Sequence, residues 1–143
     1  MPDLMQYAVD AALAGGSVLR TNAGAIAEVH TKSSATDLVT NVDISSGVAV
    51  VRSIADRLPS ARFVVEEPEV CDLAVAYAGT LDDDEVWVID PLDGTTSYVH
   101  GYPCYSVSVA LLREGRPVAS AVYDAARDLM HSAARGSGAT RDG

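Results

Sequence analysis

Residues 87–103 read WVIDPLDGTTSYVHGYP, and this stretch decides how the chain is interpreted. It opens on apolar residues that predict a buried strand, and two aspartates, Asp90 and Asp93, follow. Pro91 fixes one backbone φ angle and Gly94 permits a tight turn. We therefore expect the strand to end in a turn that folds the two carboxylates toward one point.

Carboxylates also follow a second predicted strand. Glu66 and Glu67 come directly after RFVV, residues 62–65. Carboxylate oxygens, together with the Leu92 carbonyl oxygen between the two aspartates, are hard ligands that suit Mg²⁺ or Mn²⁺. Zinc is disfavoured because neither cysteine nor histidine accompanies the acids. The pattern indicates a magnesium site, with manganese as the alternative.

The residues that follow Asp93 suggest an anion site beside the metal. Gly94, Thr95 and Thr96 can present backbone N–H groups at the start of a short helix, an arrangement that captures phosphate. Metal carboxylates next to such a nest are typical of phosphate-ester hydrolysis. The tetrad of two aspartates, leucine and glycine also occurs in ordinary acidic turns, so on these residues alone both interpretations stay open.

The longer pattern resembles the signature of the inositol monophosphatase family of Mg²⁺-dependent, lithium-sensitive phosphatases. The family's landmarks occur in order from Lys32 to Gly143: KSSATDLVTNVD, FVVEE, the aspartate motif, SVSVALL and ARGSGATRDG. The resemblance implies an α+β fold, a layered α-β-α-β-α sandwich of which this chain supplies the N-terminal portion. It also implies hydrolysis of inositol monophosphate, and a homodimer for the full-length form.

The resemblance also assigns roles to individual positions. Thr95 matches the water-activating threonine, Asp43 matches the aspartate that orients it through a hydrogen bond, and Glu66 takes part in catalysis. Glu67 is either a second acidic site residue or a solvated neighbour of Glu66, and Lys32 either lies near the phosphate or faces solvent. The implied metal ligands are Glu66, Asp90, the Leu92 carbonyl and Asp93, and the implied substrate contacts are Asp93, Gly94 and Thr95.

The sequence departs from the family in two respects. The family commonly has an acidic residue at the position of Gly47; the glycine is expected to weaken a helix by about 1 kcal/mol, with no direct catalytic consequence. Family members are also longer, and their second half carries a WDxAAG-type motif that completes a metal site. We therefore expect residues 1–143 to be a truncated N-terminal portion with doubtful activity of its own. Two alternatives are a related phosphatase, acting on 3′-phosphoadenosine phosphate, histidinol phosphate or fructose bisphosphate, and an inactive remnant or interaction module.

Composition limits the partners of the chain. The 143 residues carry a formal charge of −10, which disfavours nucleic acid and anionic membrane surfaces. The N-terminus lacks the basic region of a signal peptide, and Cys71 and Cys104 show no metal-ligand spacing. We therefore expect a cytoplasmic protein with reduced thiols that acts on a small phosphorylated substrate.

Hydrophobic periodicity predicts helices followed by a meander of strands. The stretch before Asp43 is rich in Ser, Thr and Asn and predicts a loose hairpin or loop, so that Asp43 would cap the next helix. Residues 68–80 are ambiguous, with a helix ending at Gly79 as one interpretation. The remaining predicted elements are helices over residues 4–20 and 44–58, strands over 62–65 and 86–89, and antiparallel strands in SVSVALLREG, RPVASAVYDAARD and LMHSAA.

Overall fold

The computed structural model describes the backbone of residues 3–27 and 32–142, and the side chains of residues 3–25 and 38–142. The helices are α1 (Leu4–Ala27), α2 (Lys32–Ala55), α3 (Glu69–Ala74) and α4 (Thr95–Val99). The strands are β1 (Arg62–Val65), β2 (Tyr77–Ala78), β3 (Glu85–Asp93), β4 (Ser106–Arg113), β5 (Arg116–Asp124), β6 (Leu129–Ala134) and β7 (Gly138–Arg141). The strands form one mixed sheet in the order β2-β1-β3-β4-β5-β6-β7.

Helix α1 forms where the sequence predicts it and runs one to two turns further. Asp3 caps it, because its Oδ1 accepts a hydrogen bond from the Gln6 N–H at 3.0 Å. Its small residues face the sheet: Ala11 and Ala12 are fully buried. A Cβ atom added at Gly16 would lie 2.1 Å from the Tyr123 ring, so glycine lets α1 lie directly on β5.

Helix α2 corrects the prediction of a loop or hairpin before Asp43. The helix already begins at Lys32, so Asp43 lies in its interior and is not an N-cap. Tertiary packing outweighs the low helix propensity of this stretch, because Val39 and Val42, one turn apart, are buried in the core with exposed fractions of 4% and 3%. The helix ends at Ala55, and a Leu58 N–H to Ile54 O bond of 2.8 Å adds one last turn before Pro59.

Part of α2, Leu38–Ala55, has the length and composition of a membrane-spanning helix. In this fold Val50, Val51 and Ile54 are fully buried against the rest of the chain. The same stretch carries Arg52, whose Nη1 donates to the Ala74 carbonyl at 2.8 Å. The packing therefore makes α2 a core helix of this domain.

Strands β1 and β3 run parallel and carry the predicted site. Val65 of β1 pairs with Ile89 of β3, so the residues that follow them, Glu66 and Asp90, come to the same edge of the sheet. Strands β3 to β6 pair antiparallel, which confirms the predicted meander. This topology brings Glu66 and Asp90, two of the predicted metal ligands, to one edge of the sheet.

Two segments differ from the sequence prediction. Residues 68–80 hold the short helix α3 and the strand β2, and the helix stops at Val75 in the left-handed conformation (φ +53°), before Gly79. The Gly-rich stretch near the C-terminus, predicted as a loop, contains β7, which pairs with β6 from Ala134↔Gly138 to His131↔Arg141. Pairing with an existing strand edge compensates for the poor strand propensity of glycine there.

The helices of the described residues lie on one face of the sheet. On that face, Val107 and Val109 of β4 are fully buried. The alternate residues point to the other face, where Ala110 and Leu112 are only partly buried and Val122 is 39% exposed. The chain is thus a helix layer on one sheet, with the second sheet face open.

Candidate active site

The turn predicted from the two aspartates is built on a β-bulge. Asp90 pairs with Ser108 and Asp93 with Ser106, and the register shifts between them, so Pro91 and Leu92 lie opposite a single residue of β4 and β3 carries one extra residue. The Leu92 N–H donates to Asp90 Oδ1 at 3.3 Å, which closes the turn locally. The bulge carries the Asp90 and Asp93 carboxylates and the Leu92 carbonyl oxygen on one short segment.

Gly94 is required by the backbone at the end of this turn. Its φ angle is +90°, and a Cβ atom there would lie 2.5 Å from the Cys104 carbonyl oxygen. The chain then enters α4, and the Tyr98 N–H donates to the Gly94 carbonyl at 2.9 Å. The helix is anchored at its far end by Tyr98, whose buried hydroxyl donates to the Leu19 carbonyl at 2.7 Å.

Acidic side chains from three elements face one another at this edge. Burial, followed by the charge of Glu67, raises the pKa of Asp43 from 3.8 to about 7. The charges of Asp90 and Glu66 raise it further. The Asp43–Glu67 contact is a hydrogen bond only when one of the two carboxyls is protonated. The fold therefore holds Asp43 of α2 against Glu66 and Glu67, which follow β1, and Asp90, which lies in β3.

Asp90 experiences the same electrostatic surroundings. Partial burial of its carboxyl raises its pKa, the Leu92 N–H lowers it, and the charges of Asp93 and Glu66 raise it. The side chain as a whole remains exposed, so solvent limits the effect. Negative charges this close together favour protonation of a carboxylate or binding of a cation.

The described residues supply no cationic partner for these acids. Their ion pairs with arginine involve other carboxylates, those of Asp10, Asp56, Glu85, Asp124 and Asp128. Within the described part of the chain, Oδ1 of Asp43 and Oε2 of Glu67 are also buried without a hydrogen-bond partner. Unpaired buried carboxylate oxygens are costly, and a divalent cation would relieve the cost.

This donor set fits a hard divalent cation by charge and chemistry. Carboxylates and one backbone carbonyl are the oxygen ligands that Mg²⁺ uses. No three acidic, histidine or cysteine side chains of residues 3–25 and 38–142 lie close enough together to hold an ion as they stand. The fit therefore rests on the uncompensated charge and on the donor types.

The structure places Glu66 and Asp90 at the same edge of the sheet, and it differs from the prediction at Thr95. The Thr95 hydroxyl donates to the Leu92 carbonyl oxygen at 3.4 Å, and no hydrogen bond among the described side chains joins it to Asp43. Thr95 lies in the first turn of α4, beside the Leu92 oxygen that is itself a predicted ligand. The predicted position of Lys32 beside the phosphate falls on a side chain outside the described residues.

Sequence reasoning missed Ser46, and for Gly47 it predicted only a weaker helix and not the packing that the glycine allows. Ser46 is fully buried, and its Oγ donates to the Pro91 carbonyl at 2.8 Å. A Cβ atom at Gly47 would lie 3.2 Å from Pro91 Cγ and 3.0 Å from Val70 Cγ2. The glycine thus lets α2 pass close over the aspartate turn. A glycine inside a predicted helix was the only available signal, and the serine gave none.

Comparisons with known proteins identify the family of this chain. The model of the "Inositol monophosphatase family" matches residues 2–143. Inositol monophosphatase 1 of Sus scrofa is 34% identical over 141 residues, covering 99% of this chain and 50% of the relative. The Nus factor SuhB of Pasteurella multocida is 36% identical over 140 residues, covering 97% and 50%.

A solved structure gives the same result for the fold. The inositol monophosphatase of Anabaena (Nostoc) sp. superposes with a TM-score of 0.76 at 34% identity, over 97% of this chain and 46% of that one. The α+β fold predicted from the sequence is thereby confirmed for the matched portion. The chain spans about half the length of the curated relatives it matches. It belongs to the inositol monophosphatase family.

Proposed function

We propose that the protein containing this chain is a metal-dependent phosphomonoesterase that hydrolyses inositol monophosphate to inositol and phosphate. The observation that carries the proposal is the set of acids that the described residues leave without a cation, gathered where β1 and β3 end. Family membership supports the phosphatase class. The choice of inositol phosphate follows from the resemblance of the aspartate motif to the inositol type.

Glu66, Asp90, the Leu92 carbonyl and Asp93 are the residues that would hold Mg²⁺, with Mn²⁺ as the alternative. When bound, such an ion supplies a Lewis acid that neutralises phosphoryl oxygens and lowers the pKa of water. The protein's own contribution is to hold Asp90, Leu92 and Asp93 on a bulge whose two ends pair with Ser108 and Ser106, and to place Glu66 beside them at the end of β1. The backbone N–H groups of Gly94 and Thr95, together with Asp93, would contact the substrate phosphate.

Thr95 and Asp43 would handle the proton of the attacking water. A threonine hydroxyl can accept a proton from water only if it passes its own proton to a neighbour. Asp43 suits that role because it is a carboxylate that α2 holds beside the other acids of the site. The proposal requires the Thr95 hydroxyl to exchange its present acceptor, the Leu92 carbonyl, for Asp43. Glu66 would help to orient the same water.

A phosphate-release assay with inositol 1-phosphate tests the proposal, with and without Mg²⁺. Residues 1–143 alone are expected to show little activity, and supplying the downstream half, in cis or as a separate chain, should give the full rate. In that complete enzyme Asp90→Asn should abolish Mg²⁺-dependent turnover. The matched control Asp82→Asn removes an equal charge from an exposed loop and should retain activity.

The outcomes separate the alternatives. A complete enzyme in which Asp90→Asn and Asp82→Asn are equally active would refute the assigned metal site. Turnover of 3′-phosphoadenosine phosphate, histidinol phosphate or fructose bisphosphate in preference to inositol 1-phosphate would keep the chemistry and change the substrate. Absence of any Mg²⁺-dependent turnover would favour the inactive remnant.

A further inference from the structure

Ser46 is the one polar residue among the described side chains that is fully buried in the core. Its hydroxyl donates to the Pro91 carbonyl oxygen at 2.8 Å, across a sequence separation of 45 residues. Asp43 precedes it by three positions on α2, so the two side chains lie on the same helix face. The same face of α2 therefore carries Asp43, a candidate catalytic acid, and Ser46, whose hydroxyl donates a hydrogen bond to the aspartate turn.

The bulge places the Pro91 carbonyl outside the regular β3–β4 pairing, and Ser46 supplies a hydrogen-bond donor for it. Pro91 and Leu92 fall between the paired positions Asp90 and Asp93, so the β3–β4 ladder does not fix them. Pro91 is buried, and a buried carbonyl without a partner is unfavourable. The rigid peptide plane that Ser46 holds joins Pro91 to Leu92, whose own carbonyl is the proposed ligand.

Two glycines bring α2 close enough for this contact. A Cβ atom at Gly15 of α1 would lie 2.8 Å from Ser46 Oγ. At Gly47 it would lie 3.2 Å from Pro91 Cγ. A larger residue at either position would push α2 away from its neighbours. The close approach therefore depends on small residues at three positions, Gly15, Ser46 and Gly47.

We propose that Ser46 is a positioning residue that fixes the Asp90–Asp93 turn relative to Asp43, and so sets the affinity of the turn for a divalent cation. The part concerning the cation rests on the proposed function. The part concerning the turn does not, because it rests on the Ser46–Pro91 hydrogen bond alone. The test therefore needs one measurement that involves Mg²⁺ and one that does not.

The test compares three variants of the full chain. Ser46→Ala removes the hydroxyl, and Ser46→Cys keeps a side chain of similar size but a much weaker donor. Val51→Ala is the control, since it removes buried volume from the same helix and leaves the Ser46–Pro91 hydrogen bond in place. The metal-free readout is amide hydrogen exchange at Leu92, whose N–H bonds Asp90, compared with Ala121 in β5.

Loss of the hydroxyl should speed exchange at Leu92 about tenfold relative to Ala121 in both Ser46 variants, because a buried hydrogen bond is lost. Calorimetric titration with Mg²⁺ should show binding weakened about tenfold in the same two variants. Val51→Ala should change neither the ratio of Leu92 to Ala121 exchange nor the Mg²⁺ affinity, although it should lower the melting temperature.

Unchanged Leu92 exchange in both Ser46 variants would overturn the proposal, as would an equal increase in Val51→Ala. Faster exchange with unchanged Mg²⁺ affinity would overturn the link to the cation. A wild-type chain that binds no Mg²⁺ would refute the proposed metal site, and the exchange data would still decide the role of Ser46.

Discussion

Asp43 is expected to destabilise the metal-free protein at neutral pH, and Asp43→Asn should remove that penalty. The folded protein raises the pKa of Asp43 from 3.8 to about 7, mainly through burial and then through Glu67. A carboxyl with a raised pKa in the folded state opposes folding once it ionises. Its unfavourable contribution is absent below about pH 4, grows as pH rises toward 7, and is constant above that pH.

The magnitude follows from the size of the shift. Each pKa unit corresponds to about 1.4 kcal/mol, so the upper limit for Asp43 is about 4 kcal/mol. Asp43 is half-buried, and screening by solvent reduces this to about 2 kcal/mol. Asparagine cannot ionise, and its amide can donate to the Glu67 carboxylate, which has an oxygen without a partner.

Urea unfolding from pH 4 to pH 8 in the presence of a chelator measures the effect. Wild type should lose about 2 kcal/mol of unfolding free energy relative to Asp43→Asn across this range, and the two should agree near pH 4. Asp82→Asn, an exposed control, should follow wild type. Adding Mg²⁺ at pH 8 should stabilise wild type more than Asp43→Asn, because the cation relieves the same charge.

Parallel pH profiles for wild type and Asp43→Asn would refute the reasoning. They would show that ionising Asp43 does not lower the free energy of unfolding, because solvent reaches its buried oxygen. A gap of about 2 kcal/mol that is already present at pH 4 would point to packing, since the folded carboxyl is protonated at that pH and most of the penalty for its charge is absent.

Three further predictions concern the turn, the catalytic threonine and the open sheet face. Gly94→Ala should cost about 2 kcal/mol or more in urea unfolding, because of the positive φ angle and the approach of the Cys104 carbonyl; a loss under about 0.5 kcal/mol would contradict this. In the complete enzyme, Thr95→Ala should lower kcat far more than it raises KM, because water activation matters only in the transition state; equal changes would remove Thr95 from the chemistry. Residues 1–143 alone should bind a hydrophobic dye or self-associate through the face that includes Leu112 and Val122, measured by fluorescence and light scattering; a monodisperse monomer without dye binding would argue for a self-sufficient fold.

Local sequence patterns determined much of the fold and of the candidate site. The strand at 62–65, the meander and the first helix were predicted because their apolar residues repeat at strand or helix spacing, and the structure confirms them. The aspartate turn was predicted because Pro91 and Gly94 restrict the backbone within a few residues. The roles of Thr95 and of the metal ligands remain predictions that come from the family motif.

Tertiary structure alone decided the features that depend on contacts between distant segments. The polar stretch before Asp43 favours a loop by composition, yet Val39 and Val42 bury themselves as part of α2 and make the segment helical. The Ser46–Pro91 hydrogen bond joins residues that no local pattern relates. The raised pKa of Asp43 likewise exists only because α2 is held against the acids that follow β1 and against Asp90 of β3. Burial and charge at a point in space are sums over the whole fold, and periodicity along the chain reports only the neighbours of each residue.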